Sequence, residues 1–538
     1  MPRVSALTEF IAPTFDDILI MVDAPGSTPL LRIITLLNFI KTLGWYDANA
    51  YSSINAAVTA IGSTEAVLVV HSAQTLTAAS LTIPSNISLV ILKGGSIVKA
   101  STYTLTINGP FEAGLYQVFS GFDAGDVTFG TGSKKEAYPE WWGIDGTADE
   151  VEINKALVAV GNYGTVKLIA KSYTTAAEIV LSSTTADVLK TNLISNVGSL
   201  ITSTSTGNIL RIGNDGGTYG VQRSEIGGFS LQSDTAIIGI YVTGGGAGRN
   251  KFKDIYVQGK TAPLTNSMGI LLWGALLGNF YNTFENVEVA YWDKNISMGY
   301  NWNTAATTST PANATRFHQM KIHDWKTYGF YNKNTVETYL QGNFEHAITG
   351  ALADIYLAAV GSDGIYNTIN DSGIGNAYIL EDLCDGNVIQ VYHKPADTPI
   401  VDNNTVERNT WIFNGGVAKL DDLYVHSFRK ASGYALTMQD TLNFADTAAI
   451  NVGKTIIPPG TTGNQTINKL AGRVNIAIGG TSVVVTNSFV TVNSIVLAVA
   501  NDNDTTAYVK GVVVAAGSFT IRTPAVTAET AFNFFVIN

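Results

Sequence analysis

A weak repeat in the middle of the chain limits its fold more than any other feature. An apolar-x-x-apolar-x-apolar pattern returns as Ile226/Phe229/Leu231, Phe252/Ile255/Val257, Phe284/Val287/Val289 and Phe317/Met320/Ile322, with offsets of 26, 32 and 33 residues. Between the copies lie shorter apolar runs, often after Gly: Ile240-Tyr241-Val242, Ile270-Leu271-Leu272, Asn295-Ile296, Phe330, Ile355-Tyr356-Leu357 and Ile379-Leu380. One unit of two or three short strands cannot bury its apolar face alone. Units must therefore stack, so that Phe, Ile and Val form a continuous column and strand hydrogen bonds run from unit to unit. The uneven offsets mean that loops of different length leave the column, and such loops are where function usually sits. Asn at the turns (Asn250, Asn282, Asn286, Asn367, Asn387 and Asn409) suits left-handed backbone positions and stacked side-chain amides.

Composition agrees with a β-solenoid. Of 538 residues only 14% are charged, where about a quarter is usual. Gly, Ser, Thr and Asn fill the difference; Ser, Thr and Asn compete with a helical backbone for hydrogen bonds and favour turns. The net charge of −11, without any Lys/Arg cluster, excludes nucleic acid as the main partner. A single cysteine, Cys384, allows no intrachain disulfide, so packing or oligomerisation must supply stability. The apolar run at 30–40 contains Arg32, Thr35 and Asn38 and is too short to span a bilayer, so no membrane insertion is expected. The first residues lack the order of a secretory signal.

Other segments give local expectations. A strand at 18–22 and an apolar stretch at 30–43 flank a turn at Asp23-Ala24-Pro25-Gly26-Ser27. A short helix is expected at 53–61, then β runs at 67–70, 81–83, 87–92, 96–98 and 105–107, separated by Pro84, Gly94-Gly95 and Asn108-Gly109. A second helix follows Asp149: Ile153, Ala156, Leu157 and Val160 share one face, and Asp149, Glu150 and Glu152 sit near its start, where the helix dipole favours anions. After about 440, short apolar strands with sparse charge predict a β-sandwich or jelly roll whose exposed apolar surface becomes a subunit interface.

One stretch carries a specific resemblance. Tyr138-Pro139-Glu140-Trp141-Trp142-Gly143, Asp145-Gly146-Thr147-Ala148-Asp149-Glu150, Ile153-Asn154-Lys155-Ala156-Leu157 and Gly164-Thr165-Val166-Lys167-Leu168 resemble the entry to the pectate-lyase-like right-handed parallel β-helix of bacteriophage tail fibres and tailspikes. Glu150 replaces the second Asp of the family's turn, and Tyr163 replaces one glycine of its later pair. Residues 5–8, 16–23 and 34–39 look like the N-terminal attachment segment of such fibres, and 528–538 is similar to their C-terminal β domains. The resemblance implies an all-β chain with four parts: a virion-attachment adaptor at 1–44, a β-rich solenoid cap at 45–135, a right-handed parallel β-helix at 136–440 that binds receptor polysaccharide, and a β-sandwich or jelly-roll trimerisation or receptor-binding domain at 441–538. It implies a homotrimer in the virion tail or baseplate, synthesised in the host cytoplasm. The implied partners are a baseplate or tail protein at the N-terminus and bacterial surface polysaccharide. Three functions stay open: a depolymerase (glycoside hydrolase or lyase), a receptor-binding fibre without catalysis, and a bacterial β-helix enzyme or adhesin.

The repeat also predicts a site. With Val287 and Val289 inward, Glu288 faces out, as do Tyr256 and Lys321 on neighbouring units. The 33-residue offset pairs Glu288 with Lys321 and Trp292 with Trp325, near Asp293, Asp324 and His323. Indole faces with carboxylates beside them suit sugars, whose C–H faces pack on the rings while hydroxyls bond the acids. Trp292, Trp325, Tyr256, Lys321 and His323 are the expected binding residues. Glycoside hydrolysis needs two carboxyls, about 5–5.5 Å apart for retention or about 6.5–9.5 Å for inversion. The candidates are Glu288, Asp293, Asp324 and Glu345, with Asp371 next. For a lyase, His323, His346, Lys321 and Arg316 offer a base and a charge neutraliser. Gly213–Gly217 and Gly244–Gly248 lack the context of a phosphate loop. The six His and one Cys show no metal spacing, and Asp502-Asn503-Asp504 reads as a hairpin turn. No cofactor or metal is expected.

Overall fold

The computed structural model describes residues 18–23, 30–182, 189–215, 220–244, 247–274, 279–307, 312–333, 335, 337–358, 367–371, 378–381, 386–392, 400–402, 409–414, 423–424, 452–501 and 504–538. The first attachment residues (1–17), Cys384, Asp502, Asn503 and the expected boundary at 440/441 lie outside this set. The chain divides into two compact units, 1–429 and 430–538.

Short β-branched runs punctuated by Asn, Gly and Ser find their partners one coil away, and they pair in parallel. One long sheet holds Thr165–Leu168, Asn192–Ser203, Glu225–Gln232, Lys251–Gln258, Thr283–Ala290, Arg316–His323, Tyr339–Glu345, Thr368–Asp371, Val388–Tyr392 and Thr410–Asn414 in that order. The return strands, among them Ile238–Thr243, Met268–Trp273, Lys294–Met298, Tyr328–Lys333 and Ala353–Ala358, build a second parallel sheet. The expected parallel β-helix is therefore the fold of this unit. We call the two sheets front and back.

The repeat is the front sheet's inward side. Phe252 pairs with Phe284 and Phe284 with Phe317, while Ile255 pairs with Val287 and Val257 with Val289. The three rings stack at 4.4 and 4.9 Å, interplanar angles 5° and 16°, and all are fully buried. In a flat strand, residues three apart face opposite sides, yet Phe284 and Val287 both point inward. The intervening Asn286 is left-handed (φ 53°), as are Asp254 and Gln319 in the same column. One such residue per coil resets the alternation, and that is the structural meaning of the two-residue gap in the motif.

A second left-handed column precedes each strand: Arg249 (φ 57°), Tyr281 (φ 56°), Ala314 and Glu337. Behind it stands the expected Asn stack. Oδ1 of Asn282 accepts from both the backbone and side-chain nitrogens of Asn250, each at 3.1 Å. Asn367, Asn387 and Asn409 repeat the pattern. Of the six asparagines singled out in the sequence, Asn286 takes the left-handed backbone and Asn250, Asn282, Asn367, Asn387 and Asn409 do not.

Upstream, residues 45–129 form a smaller parallel solenoid with three faces. Its helix Ile54–Ile61 is capped by Ser53, whose Oγ accepts from the Ala56 N–H at 3.1 Å. Helix Glu150–Val160 buries Ile153, Ala156, Leu157 and Val160. Asp149 does not cap it. Its carboxylate instead accepts from the N–H groups of Gly146 (2.9 Å) and Thr174 (2.7 Å), tying the turn to the next coil.

The middle of the back sheet's outer face is covered. The hairpin Tyr300–Asn301/Ala306–Thr307 carries Trp302 against Tyr331 at 4.9 Å, and the Lys294 ammonium lies 3.9 Å from the indole centroid. No described helix is long and apolar enough to cross a membrane. The second unit holds two four-stranded sheets around Val474, Val483, Phe519, Ile521, Phe532 and Phe534, the arrangement of a β-sandwich.

Candidate functional site

The front sheet's outer side presents polar residues in registered rows. One row runs Ser230, Tyr256, Glu288, Lys321, Asn343. The next runs Gln258, Ala290, His323, Glu345. Parallel pairing therefore brings Glu288 beside Lys321 and His323. Lys321 Nζ donates to Glu288 Oε1 at 3.2 Å; both side chains are well exposed, so this pair contributes little to stability. His323 is better enclosed. Its Nε2 lies 2.8 Å from Glu288 Oε1 and its Nδ1 lies 2.6 Å from Asp324 Oδ2.

An ionised carboxylate only accepts hydrogen bonds. Each ring nitrogen of His323 thus faces a carboxylate oxygen at hydrogen-bonding distance, and an imidazole between two carboxylates is an arrangement suited to general acid–base work.

Two tyrosines flank this group. Burial, with the Glu288, Tyr291 and Asp324 charges behind it, pushes Tyr256 up to about 12. Its hydroxyl stays protonated near neutrality and can donate. Tyr291 is raised chiefly by the charge of Asp324, and its ring meets His323 edge-on at 6.1 Å. Sequence reasoning missed Tyr291. Its φ of 64° ends the strand's alternation and leaves it beside Asp324. Glu345 is held by the side-chain amide of Asn343. A shallow groove of about 260 Å³, lined by Gly228, Ser230, Asp254, Tyr256, Asn286 and Glu288, opens beside the cluster.

The expected tryptophan platform is corrected. Trp292 is 1% exposed and Trp325 0%. Trp292 donates from Nε1 to the Val257 carbonyl at 3.2 Å, and its ring fills a niche beside two glycines. A Cβ at Gly259 would stand 2.9 Å from Trp292 Cδ2, and one at Gly269 2.8 Å from its Cδ1. Trp325 packs edge-on against Phe344 at 5.9 Å. Neither indole offers a face to a sugar. Asp293 is also corrected as a catalytic candidate: it is 2% exposed. It pairs with buried Lys294 at 2.8 Å and accepts from Thr327 and from the Asn266 N–H. A carboxylate so occupied holds a turn together. The side chain of Asp371 lies outside the described residues. Glu288, His323 and Asp324 are brought together; Glu345 is one coil further on.

No family model matches. No curated protein matches either. Among solved structures, the chain is similar to the Dettilon tailspike protein gp208 at 12% identity and a TM-score of 0.25, covering 75% of this chain and 94% of that one. It is similar to the tailspike protein of Acinetobacter phage vB_ApiP_P1 at 10% identity and a TM-score of 0.20, covering 98% and 96%. A third similar structure is tailspike protein gp49 of Acinetobacter baumannii bacteriophage Fri1, a capsular polysaccharide depolymerase, at 9% identity and a TM-score of 0.21, covering 93% and 80%. Likeness at this level places the chain in no family. Among the described residues no group of His, Cys, Asp and Glu has the geometry to hold a metal ion.

Proposed function

We propose that this protein is a tail fibre or tailspike that binds bacterial surface polysaccharide along the front sheet, at the Tyr256–Glu288–Lys321–His323 cluster. One observation carries the reading: a row of donors and acceptors, in register from coil to coil, lies on the side of the helix that the hairpin cover leaves open. A periodic row of polar side chains matches a linear polymer of hydroxylated units. The motifs at 138–168 and at both ends of the chain support a place in the virion, with the N-terminus on a tail or baseplate protein and three copies per fibre.

A catalytic reading is favoured by the hydrogen-bonded chain Glu288–His323–Asp324. A ligand seated over it meets a group able to deliver or remove a proton, so depolymerisation is the second reading.

The test is adsorption of the purified chain to surface polysaccharides from a panel of bacteria, with new reducing ends and new unsaturated sugars measured in the same samples. Binding that falls at least tenfold in Glu288→Gln and in Tyr256→Ala supports the reading. Fragments formed by the wild type and not by His323→Ala add catalysis. Equal adsorption by wild type and both variants would remove the cluster from the binding surface.

A further inference from the structure

The left-handed corner ahead of the front-sheet strands is also a row of cations. Thr165, Asn192, Glu225, Lys251 and Thr283 follow one another in register from coil to coil. Two residues ahead of them stand Tyr163, Lys190, Arg223, Arg249 and Tyr281. Tyr163 and Arg223 are left-handed (φ 62° and 56°), like Arg249 and Tyr281. Backbone bonds tie each turn to the next coil: the Tyr163 N–H donates to the Lys190 carbonyl at 2.7 Å, and that of Arg249 to the Phe280 carbonyl at 2.8 Å. Arg223 and Arg249 are exposed, and Tyr163 and Tyr281 are 72% and 52% exposed.

Lys190, Arg223 and Arg249 are 33 and 26 residues apart in the chain, so the coil alone makes them neighbours. The Lys190 ammonium lies 4.9 Å from the centroid of the Tyr163 ring and donates to its hydroxyl at 3.0 Å. The Arg249 guanidinium lies 5.4 Å from the centroid of the Tyr281 ring. On the sheet itself, Lys251 and Lys321 are paired with Glu285 (2.7 Å) and Glu288 (3.2 Å). Among the described residues, none of the three corner cations has a carboxylate at ion-pair distance. Ala314 and Glu337 take the next two positions of the column, and there the row of cations ends. Neighbouring coils are about 4.8 Å apart, so the corner from Tyr163 to Tyr281 is about 19 Å long, with three uncompensated charges at its centre.

We infer that this corner is a second binding site, which takes an acidic polysaccharide through its carboxylate or phosphate groups. A neutral glycan has no use for three unpaired cations in a line. A guanidinium stacked by its face keeps its N–H edge free, and that edge meets a carboxylate or phosphate as a two-pronged fork. The exposed rings at both ends of the row offer apolar contact to sugar C–H groups. Duplex DNA carries one charge per about 1.7 Å of axis, far denser than this row, and the net charge of −11 repels it. The front row binds hydroxyls and the corner binds anions. Neither reading rests on the other.

The experiment is retention of the full chain on immobilised polymers, with far-UV circular dichroism on the same samples. Polygalacturonate supplies carboxylates, phosphomannan supplies phosphates, dextran is uncharged, and single-stranded DNA tests the other class of polyanion. Wild type is expected to be held by polygalacturonate or phosphomannan, the tighter of the two naming the anion, and to pass over dextran. Arg223→Gln and Arg249→Gln are each expected to weaken retention about threefold, and the double variant about tenfold. Lys469→Gln, at an exposed cation of the second unit, is expected to change nothing. In about 1 M NaCl, where the Debye length is about 3 Å, the difference between wild type and variants is expected to vanish. Arg249→Asn, whose side chain suits the left-handed backbone, replaces a glutamine variant that misfolds. Retention by neither acidic glycan overturns the inference, as does equal retention of the folded double variant. Tighter retention by DNA than by either glycan overturns it in favour of nucleic acid. Retention that falls in Glu288→Gln and not in the arginine variants removes the corner site and leaves the front-row reading standing.

Discussion

Replacing Trp292 by alanine separates the two roles this residue could have. An indole on the ligand face would leave stability nearly unchanged and weaken glycan adsorption. An indole in the niche beside Gly259 and Gly269 does the reverse. Truncating a fully buried aromatic costs about 3–5 kcal/mol, and loss of the Nε1–H bond to the Val257 carbonyl adds about 1 kcal/mol. The expected total is thus about 4–6 kcal/mol, or ~10³–10⁴-fold in a local opening constant. Amide hydrogen exchange with mass spectrometry reads this strand by strand. Lys251–Gln258, Met268–Trp273 and Lys294–Met298 surround the niche and are expected to lose protection in Trp292→Ala. The sandwich of the second unit serves as an internal reference, since its exchange should not change. Unchanged protection in those three strands, together with lost adsorption, would refute the reasoning and return Trp292 to the ligand face.

Asn282→Ala removes the acceptor of two bonds from Asn250 and should cost about 1–3 kcal/mol in denaturant unfolding, because a buried backbone N–H is left unpaired. At Asn286, with φ 53°, valine is expected to destabilise by about 1–2 kcal/mol and glycine to be near neutral, as melting of the two variants will show. Glu140 tests a pH effect: burial holds its carboxyl above the ordinary 4.5, so the folded chain binds that proton more tightly than the unfolded one. Its stabilising contribution is full below pH 4.5 and is lost as pH rises through the folded value. Glu140→Gln should flatten this part of the stability–pH curve, checked by unfolding midpoints of both proteins from below pH 4.5 upward.

The inward columns were legible in the sequence because burial repeats: Phe252, Phe284 and Phe317 recur at the coil length and stack. The outward row was legible for the same reason, since a known inward Val287 and Val289 fix Glu288, and the coil offset then fixes Lys321. The prediction failed at Trp292, because a coil offset pairs it with Trp325 and does not fix which way either ring points. Tyr291 is left-handed, so the next residue turns inward. The signal for this lay a coil earlier, in Gly259 and Gly269, which make room for a large ring only if that ring points in. Asp293 was a candidate because it lies next to Trp292, and it shares that residue's inward turn: it and Lys294 are both buried and satisfy each other. The His323 bridge between Glu288 and Asp324 combines a coil offset with a local bend, and offset alone does not reveal it.

The registered row on the front sheet has a consequence for how the protein changes size. Neighbouring strands are about 4.8 Å apart, so each coil sets one station on a ruler, and the stations depend on adjacent coils alone. Excising the coil that carries Tyr256, or duplicating it, would shorten or lengthen the ruler by one step and leave the spacing of the other marks intact. Divergence toward longer or shorter binding segments can then proceed by whole-coil gain or loss, with no redesign of the chemistry at each mark.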